Sequence, residues 1–230
     1  MVETKQRLAI IQQQINETCK KIGRNPEDIT LIAVTKSVSS KRAQTLVDLG
    51  VKDLGENRLE GLLDKQENIQ EKVNWHFIGN LQTRKVKELI HKIDCLHSLD
   101  RMSLVKEVNK RASEPLKCFV QINVSGEESK SGITPEEADT FFEQLAEYEN
   151  VHVIGLMTMA PNTEDESEIR SVFRSLREVR DKITAKQLPY APCTQLSMGM
   201  SNDFMIAIEE GATHIRVGTA LVGSESEEDE

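Results

Sequence analysis

The sequence predicts a single (β/α)8 barrel of the TIM type, with an extra N-terminal helix and no second domain. Eight short apolar segments alternate with helical patterns, and 230 residues are about the length that one such barrel needs. The same alternation fits an open doubly wound sheet, but no GxGxxG motif follows the first strand. Polar and glycine residues instead follow many strands, as they do around the mouth of a closed barrel.

The first elements are an amphipathic helix, a buried strand and a second helix. Residues 3–22 place apolar side chains at helical spacing, and Gly23 supplies a C-terminal stop. Residues 29–36 form an apolar run that ends in a lysine, which indicates a strand buried on both faces, as in a parallel sheet. The next helix covers 40–49 and ends at Gly50.

The rest of the chain repeats this alternation. The further predicted strands cover 51–56, 75–79, 94–99, 117–124, 151–159, 194–198 and 214–217. One helix is marked by Thr134-Pro135-Glu136-Glu137, an N-cap followed by a proline and a capping-box glutamate, and another covers 166–183. In a barrel, the C-terminal ends of all strands open onto one face. We therefore expect a common pocket among Lys36, Asn57, Gly79, Ser125, Met159, Ser197 and Arg216.

Charge and hydropathy argue against several classes of function. The formal net charge is −9, but the acidic residues of 224–230 contribute more than half of it, and no basic stripe favours nucleic acid. No apolar stretch approaches membrane-spanning length and the N-terminus has no apolar signal segment, so we expect a cytoplasmic protein. Residues 224–230 contain no apolar side chain and are predicted to be a disordered tail beyond a domain of residues 1–223.

Cysteine and histidine spacing argues against disulfides and metal sites. The four cysteines are far apart and form no CxxC pair, so we expect reduced, buried thiols. They are Cys19, Cys95, Cys118 and Cys193. The histidines are dispersed without ligand spacing, so no metal is predicted, and core packing is the first interpretation of His76. Glu56 ends a strand, where it acts as a base or, more commonly, pairs with a barrel cation.

Lys36 is the residue at which the first strand ends. An ammonium group at the end of a buried strand gives up hydration, which favours the neutral amine. A neutral lysine amine condenses with aldehydes. The alternative is that Lys36 caps the strand and extends into solvent.

The loops after the seventh and eighth strands have the composition of a phosphate site. Such loops often bind phosphate in (β/α)8 enzymes, because backbone N–H groups point at the anion. Gly199 and Gly218 allow close approach of the backbone, while Ser197, Ser201 and Thr219 offer hydroxyls. For Ser201, N-capping of a helix over 202–209 is an equally good interpretation.

Arg216 lies between two apolar residues at the end of the last strand. Its guanidinium must pair with a carboxylate or face a ligand. Beside an aromatic ring nitrogen, an arginine would keep that nitrogen unprotonated. Lys36, a phosphate loop and Arg216 together indicate a phosphorylated aldehyde held as a Schiff base, namely pyridoxal 5′-phosphate (PLP).

Several motifs in order resemble those of the pyridoxal phosphate homeostasis protein family (the YggS/PROSC type). They are Ala33-Val34-Thr35-Lys36, Gly55-Glu56-Asn57-Arg58, His76-Phe77-Ile78-Gly79-Asn80-Leu81-Gln82, Ser129-Lys130-Ser131-Gly132, Gly155-Leu156-Met157, Leu196-Ser197-Met198-Gly199-Met200-Ser201 and Arg216-Val217-Gly218-Thr219. The resemblance covers nearly the whole chain except the acidic tail. It implies a barrel similar to the N-terminal domain of alanine racemase.

The resemblance also implies roles for individual residues. Lys36 would form the Schiff base with PLP, Asn57 would lie near the cofactor ring, and Arg216 would face the pyridine nitrogen. The phosphate would be bound by Ser197, Gly218 and Thr219. Met198 and Gly199 would belong to the same loop.

The function implied by the resemblance is PLP binding in intracellular vitamin B6 and amino-acid homeostasis, as a carrier or buffer rather than an efficient catalyst. PLP-dependent apoenzymes are candidate partners, and a monomer is expected. The alternative is a racemase of low activity, which needs a proton donor opposite the lysine. Tyr148 and Tyr190 lie in connections that lead into strands, at the other end of the barrel. A Schiff-base aldolase without cofactor is a third interpretation.

Overall fold

A computed structural model of the chain describes residues 2–127 and 130–223. Its centre is a closed barrel of parallel strands that follow one another in chain order, the last pairing with the first. The strands are β1 (Thr30–Val34), β2 (Asp53–Glu56), β3 (Asn74–Phe77), β4 (Cys95–Leu99), β5 (Leu116–Gln121), β6 (Val151–Met157), β7 (Gln195–Ser197) and β8 (His214–Val217). The predicted (β/α)8 barrel is confirmed, and the open doubly wound sheet is wrong.

Helices surround this barrel. They are α1 (Val2–Ile22), α2 (Ser40–Asp48), α3 (Leu59–Asn68), α4 (Val86–Leu89), α5 (Met102–Arg111), α6 (Ala138–Gln144), α7 (Glu166–Ala185), α8 (Phe204–Glu209) and α9 (Thr219–Val222). The extra N-terminal helix, α1, precedes the barrel and packs against α8 and α9. Its buried side chains step along one face at the spacing that the sequence predicts.

Side chains of the strands alternate between two environments, because successive residues of a strand point to opposite faces. Those that face outward pack against the helices in one continuous apolar core, to which Trp75, Phe77 and Leu96 belong. The interior of the barrel contains a smaller apolar cluster of Cys95, Phe119, Ile154 and Met157. It also contains buried polar side chains, among them His76, His97, Ser197 and Arg216. Bulky branched residues usually fill such barrels, so this interior is unusually polar.

Several strands end earlier than the sequence predicts, most importantly β1. The N–H of Thr35 still bonds to the carbonyl oxygen of Gly55 (3.1 Å), but the N–H of Val38 then bonds back to Thr35 (3.1 Å). That bond turns the chain before the strand can reach Lys36. Lys36 therefore lies in a turn beyond β1 rather than at its last position.

The predicted capping box forms, but α6 begins only at Ala138. The Thr134 N–H donates to Glu137 Oε2 (2.8 Å), and the Glu137 N–H donates to Thr134 Oγ1 (3.4 Å). These reciprocal bonds close a turn over 134–137, and the regular helix follows it.

Ser129 and the acidic residues 224–230 lie outside the described residues, so the domain end at residue 223 and the disordered tail stay predictions. All four cysteines are buried free thiols, as expected. Among the described helices, none is both long and apolar enough to cross a bilayer.

A buried ion pair joins β2 to α3 beside the turn that contains Lys36. Glu56 is 1% exposed, its carboxylate lies 3.1 Å from the Lys65 ammonium, and it accepts a hydrogen bond from Thr35 Oγ1 (2.5 Å). Glu56 therefore pairs with a cation, the more common of its two predicted roles. Because Thr35 precedes Lys36, this pair fixes the backbone from which the lysine side chain projects.

We expect Lys65→Met to lower the free energy of unfolding by about 3–5 kcal/mol, because it leaves the Glu56 carboxylate buried without its cation. Chemical denaturation monitored by circular dichroism measures this loss. The double variant Glu56→Leu/Lys65→Met should recover much of it. A matched control is Lys85→Met, which removes an exposed pair with Glu88 and should change stability little. Equal effects of the two lysine substitutions would contradict the importance of the buried pair.

Candidate functional site

A cavity of about 1010 Å³ opens at the C-terminal ends of the strands, the face on which the sequence predicts a site. Its lining includes Lys36, Asn57, Ser201, Arg216, Gly218 and Thr219. Gly79 and Met159, also predicted at this pocket, line it as well. Ser125 and Ser197 were predicted there too but lie outside the lining.

Lys36 enters this cavity from the turn after β1. The side chain is exposed, so the expectation that its ammonium gives up hydration is not met. The physical reason is the early end of β1, which leaves the lysine beyond the buried strand. Within the described residues, no side chain or backbone group hydrogen-bonds or pairs with the Lys36 amine. A solvent-accessible amine without a partner can react with an incoming aldehyde.

Asn57 follows β2, the strand next to β1, at a point where the chain after β2 comes into close contact with the chain after β3. A Cβ atom on Gly79 would lie 2.3 Å from the carbonyl oxygen of Asn57. Only glycine allows this approach, which fixes the backbone of Asn57 at the wall of the cavity. The N–H of Ile78 also bonds to the carbonyl oxygen of Glu56 (2.9 Å).

The loops after β7 and β8 are joined through Ser201. Its Oγ accepts hydrogen bonds from the N–H groups of Gly218 (3.2 Å) and Ala220 (3.5 Å). Since α8 begins only at Phe204, Ser201 does not cap it, and that interpretation is wrong. From the sequence, the Ser201 hydroxyl was a possible phosphate donor, but Ser201 was not among the residues assigned to the phosphate. A serine before a helix is also a good N-cap, so the sequence does not distinguish the two roles.

The two loops after β7 and β8 contain N–H groups that could donate hydrogen bonds to an anion. Within the described residues, no hydrogen bond uses the N–H groups of Ser201, Asn202 or Thr219. The loop is shaped by Asp203, whose Oδ1 accepts the Met200 N–H (2.5 Å). Burial raises the pKa of Asp203, although that hydrogen bond and the charge of Arg216 oppose the shift.

Ser197, Met198 and Gly199 lie deeper than the sequence predicts. Ser197 and Met198 are fully buried. Gly199 adopts φ +94°, and a Cβ there would lie 2.6 Å from Cβ of Ala207, so the glycine lets the loop pack on α8. These three residues support the loop from beneath, and none of them is in the lining of the cavity.

Arg216 reaches the cavity from the barrel interior. It is 4% exposed and donates to Ser197 Oγ (2.5 Å) and to the carbonyl oxygen of Thr158 (2.9 Å). Burial lowers the pKa of the guanidinium to about 10, so it stays charged at neutral pH. No carboxylate of the described residues forms an ion pair with it, and both of its acceptors are neutral. The pairing role predicted for Arg216 is therefore not seen in the described residues, and its role of facing a ligand stays a prediction.

The structure also brings together His76, Cys95 and His97, whose possible ligand atoms lie within 4.8 Å of one another. Sequence reasoning regarded the histidines as dispersed and missed this cluster. Both ring nitrogens of His76 and of His97 already have hydrogen-bond partners. Burial raises the pKa of the Cys95 thiol well above its usual value, which disfavours the thiolate that binds metal. The absence of a metal therefore stays a prediction. His76 is not in the lining of the Lys36 cavity.

Comparison with known proteins identifies the family of the chain. The family profile described as alanine racemase, N-terminal domain, matches residues 7–226. The chain is similar to the pyridoxal phosphate homeostasis protein of Aquifex aeolicus, with 41% identity over 222 residues that cover 95% of this chain and 96% of the relative. A relative of the same name from Escherichia coli K12 is 35% identical over 225 residues, covering 94% of each chain.

Solved structures show the same architecture. PipY of Synechococcus elongatus, solved with PLP bound, superimposes with a TM-score of 0.84 at 29% identity, covering 96% of this chain and all (100%) of PipY. Alanine racemase from Corynebacterium glutamicum superimposes with a TM-score of 0.74 at 15% identity, over 94% of this chain and 61% of the racemase, which supports the fold alone. By the profile match and these relatives, the chain belongs to the pyridoxal phosphate homeostasis protein family, within the alanine racemase N-terminal domain family.

Proposed function

We propose that this protein binds PLP as a Schiff base on Lys36 and acts in intracellular PLP (vitamin B6) and amino-acid homeostasis, as a carrier or buffer. One observation supports this most strongly: a single cavity is lined by an amine without a partner, a buried guanidinium and two loops with unused N–H groups. When bound, PLP supplies an aldehyde that reacts reversibly with amines.

The residues of the cavity fit the three chemical parts of PLP. Lys36 offers the amine for the aldehyde. Arg216 offers N–H donors to the ring nitrogen, and its positive charge keeps that nitrogen unprotonated. Ser201 and Thr219 offer N–H and hydroxyl donors to the phosphate, and Asn202 offers its N–H. Gly218 keeps its proposed place at the phosphate through close approach of its backbone, since its own N–H donates to Ser201 Oγ.

This proposal differs in two ways from the roles that the resemblance implies. Ser201 replaces Ser197 at the phosphate, because Ser201 lines the cavity while Ser197 is fully buried beneath it. Met198 and Gly199 act by shaping the loop rather than by touching the cofactor. Asn57 keeps its proposed place beside the ring, since it lines the cavity.

A carrier fits the site better than a racemase. Racemisation needs a proton donor on the face of the cofactor opposite the lysine. Tyr148 and Tyr190 pack partly buried against the apolar core just before β6 and β7, at the N-terminal ends of these strands. Neither lines the Lys36 cavity. We further propose a cytoplasmic monomer that delivers PLP to PLP-dependent apoenzymes.

In Lys36→Ala, we expect the visible absorbance of the Schiff base to disappear and borohydride to fix no pyridoxyl group on the chain. Lys41→Ala, an exposed lysine of the nearby α2, is the matched control and should keep both signals. Mass mapping after reduction measures the attachment. A pyridoxyl group fixed elsewhere in Lys36→Ala would contradict the assignment.

For Ser201→Ala, we expect the dissociation constant of PLP to rise about tenfold, since the hydroxyl that joins the two loops is lost. Pyridoxal, which lacks the phosphate, should bind the variant as well as it binds the wild type. Titrations followed by absorbance give both constants, with Ser125→Ala, outside the cavity, as control. An equal loss for both ligands would argue against a phosphate role.

If the protein is a carrier, purified holoprotein should interconvert D- and L-alanine at least about 10³-fold more slowly than the 1–10³ s⁻¹ typical of enzymes. The reason is that neither Tyr148 nor Tyr190 lines the cavity, so no tyrosine is placed to donate a proton on the face opposite the lysine. Circular dichroism of the alanine solution over time measures the rate. Turnover within the range of dedicated enzymes would overturn the carrier assignment in favour of the racemase.

A further inference from the structure

A continuous line of hydrogen bonds crosses the interior of the barrel from Arg216 to Asp53. Arg216 bonds to Ser197 Oγ (2.5 Å), and that Oγ lies 2.9 Å from His97 Nδ1. His97 Nε2 lies 2.9 Å from His76 Nδ1, and His76 Nε2 lies 3.0 Å from Asp53 Oδ1. The five side chains come from strands β8, β7, β4, β3 and β2.

The two ends of this line lie at opposite mouths of the barrel. Arg216 lines the Lys36 cavity, whereas Asp53 and His76 line a second cavity of about 970 Å³ at the N-terminal ends of the strands. The Asp53 side chain is 21% exposed there, while His97 and Ser197 are fully buried. The interior members of the line therefore depend on one another for hydrogen bonds.

The direction of every bond follows from the chemistry of the Arg216 end. A guanidinium only donates, so the buried Ser197 hydroxyl accepts from Arg216. Its own proton has His97 Nδ1 as its acceptor among the described residues, and that nitrogen is therefore unprotonated. Burial lowers the pKa of His97 well below its usual value, and His76 and Arg216 add to this shift, so the ring is neutral with its proton on Nε2.

The hydrogen bonds keep the same direction as far as the Asp53 carboxylate. His97 Nε2–H donates to His76 Nδ1, so His76 has its proton on Nε2 and donates it to Asp53. Burial would raise the pKa of Asp53, but hydrogen bonds from His76 and Asn74 lower it, so the acceptor is a carboxylate. Each group donates to the next, from a cation at one mouth to an anion at the other.

We propose that Asp53, His76, His97 and Ser197 form a directional hydrogen-bond relay that positions the Arg216 guanidinium for the ring of the cofactor. This inference rests on the proposed function and goes beyond it, since none of the four residues lines the Lys36 cavity. Because the hydroxyl proton of Ser197 is donated to His97, a lone pair of Ser197 Oγ points at Arg216 and accepts its hydrogen bond. The four are positioning residues and not catalytic ones.

The bond directions are tested on the protein without cofactor. Long-range ¹H–¹⁵N correlation spectra report which ring nitrogen of a histidine is protonated. We expect His97 and His76 both as neutral Nε2–H tautomers. A protonated Nδ1 on His97 would reverse the bonds and overturn the relay, whether or not the protein binds PLP.

The positioning role is tested by binding. We expect Asp53→Asn, in which the terminal group can also donate, to raise the dissociation constants of both PLP and pyridoxal about fivefold. Ser197→Ala should raise both about tenfold, because Arg216 contacts the ring that the two ligands share. This equal loss differs from the phosphate-specific loss expected for Ser201→Ala.

Two further variants separate positioning from folding. Asp53→Glu keeps the carboxylate at a partly exposed position and should restore binding, and Asn74→Ala removes a partner of Asp53 outside the relay and should leave binding unchanged. Thermal unfolding of each variant checks that it is folded. Unchanged binding in folded Asp53→Asn and Ser197→Ala would overturn the positioning role.

If wild-type protein binds neither PLP nor pyridoxal, the proposed function and the positioning role fail together. The histidine tautomers still decide whether the relay exists.

Discussion

A buried cation that forms no ion pair with any carboxylate of residues 2–127 and 130–223 is the constraint around which this barrel is built. Arg216 is 4% exposed at the end of the last strand, and a charge in that position needs hydrogen-bond acceptors from its own protein. The carbonyl of Thr158 and the hydroxyl of Ser197 supply two of them. Ser197 in turn needs His97, and each further interior group needs the next. The polar interior thus follows from placing a guanidinium where apolar side chains usually fill a barrel.

Lys36 differs from Arg216 in that its side chain is exposed. Its backbone is anchored, because Thr35 bonds to the buried pair of Glu56 and Lys65, but its amine is exposed and has no partner in the described part of the chain. Anchoring limits the directions in which the side chain can reach, and exposure leaves the amine free to react. The two cations at the cavity therefore differ: Arg216 is held in place, and Lys36 is available.

Much of this arrangement could be predicted from the sequence, and the failures have physical causes. The order of the strands and the placement of Lys36, Asn57, Arg216, Gly218 and Thr219 at one mouth follow from the βα alternation alone. The burial of Ser197 could not be predicted, because a serine in the last position of a three-residue strand can point inward or upward, and only the pleat of β7 decides. The relay was missed because its members are far apart in sequence and become neighbours only when the barrel closes. One signal in the sequence could have indicated the inward position of His76. Trp75 and Phe77 on either side of it are apolar and face the helices, so the residue between them points into the barrel.

The accessibility of the cavity bears on what kind of protein this is. Enzymes that use a cofactor for catalysis commonly exclude water, because dry surroundings strengthen every electrostatic interaction with the reacting atoms. Here the amine lies at an open mouth beside exposed Thr219 and Met159. Water and small amines can therefore reach the place where the aldehyde would be held, which favours reversible exchange over protected chemistry. In the proposed assignment, the fixed guanidinium and the anion loop would hold the ring and the phosphate, while the Schiff base on the accessible amine would stay open to exchange with incoming amines.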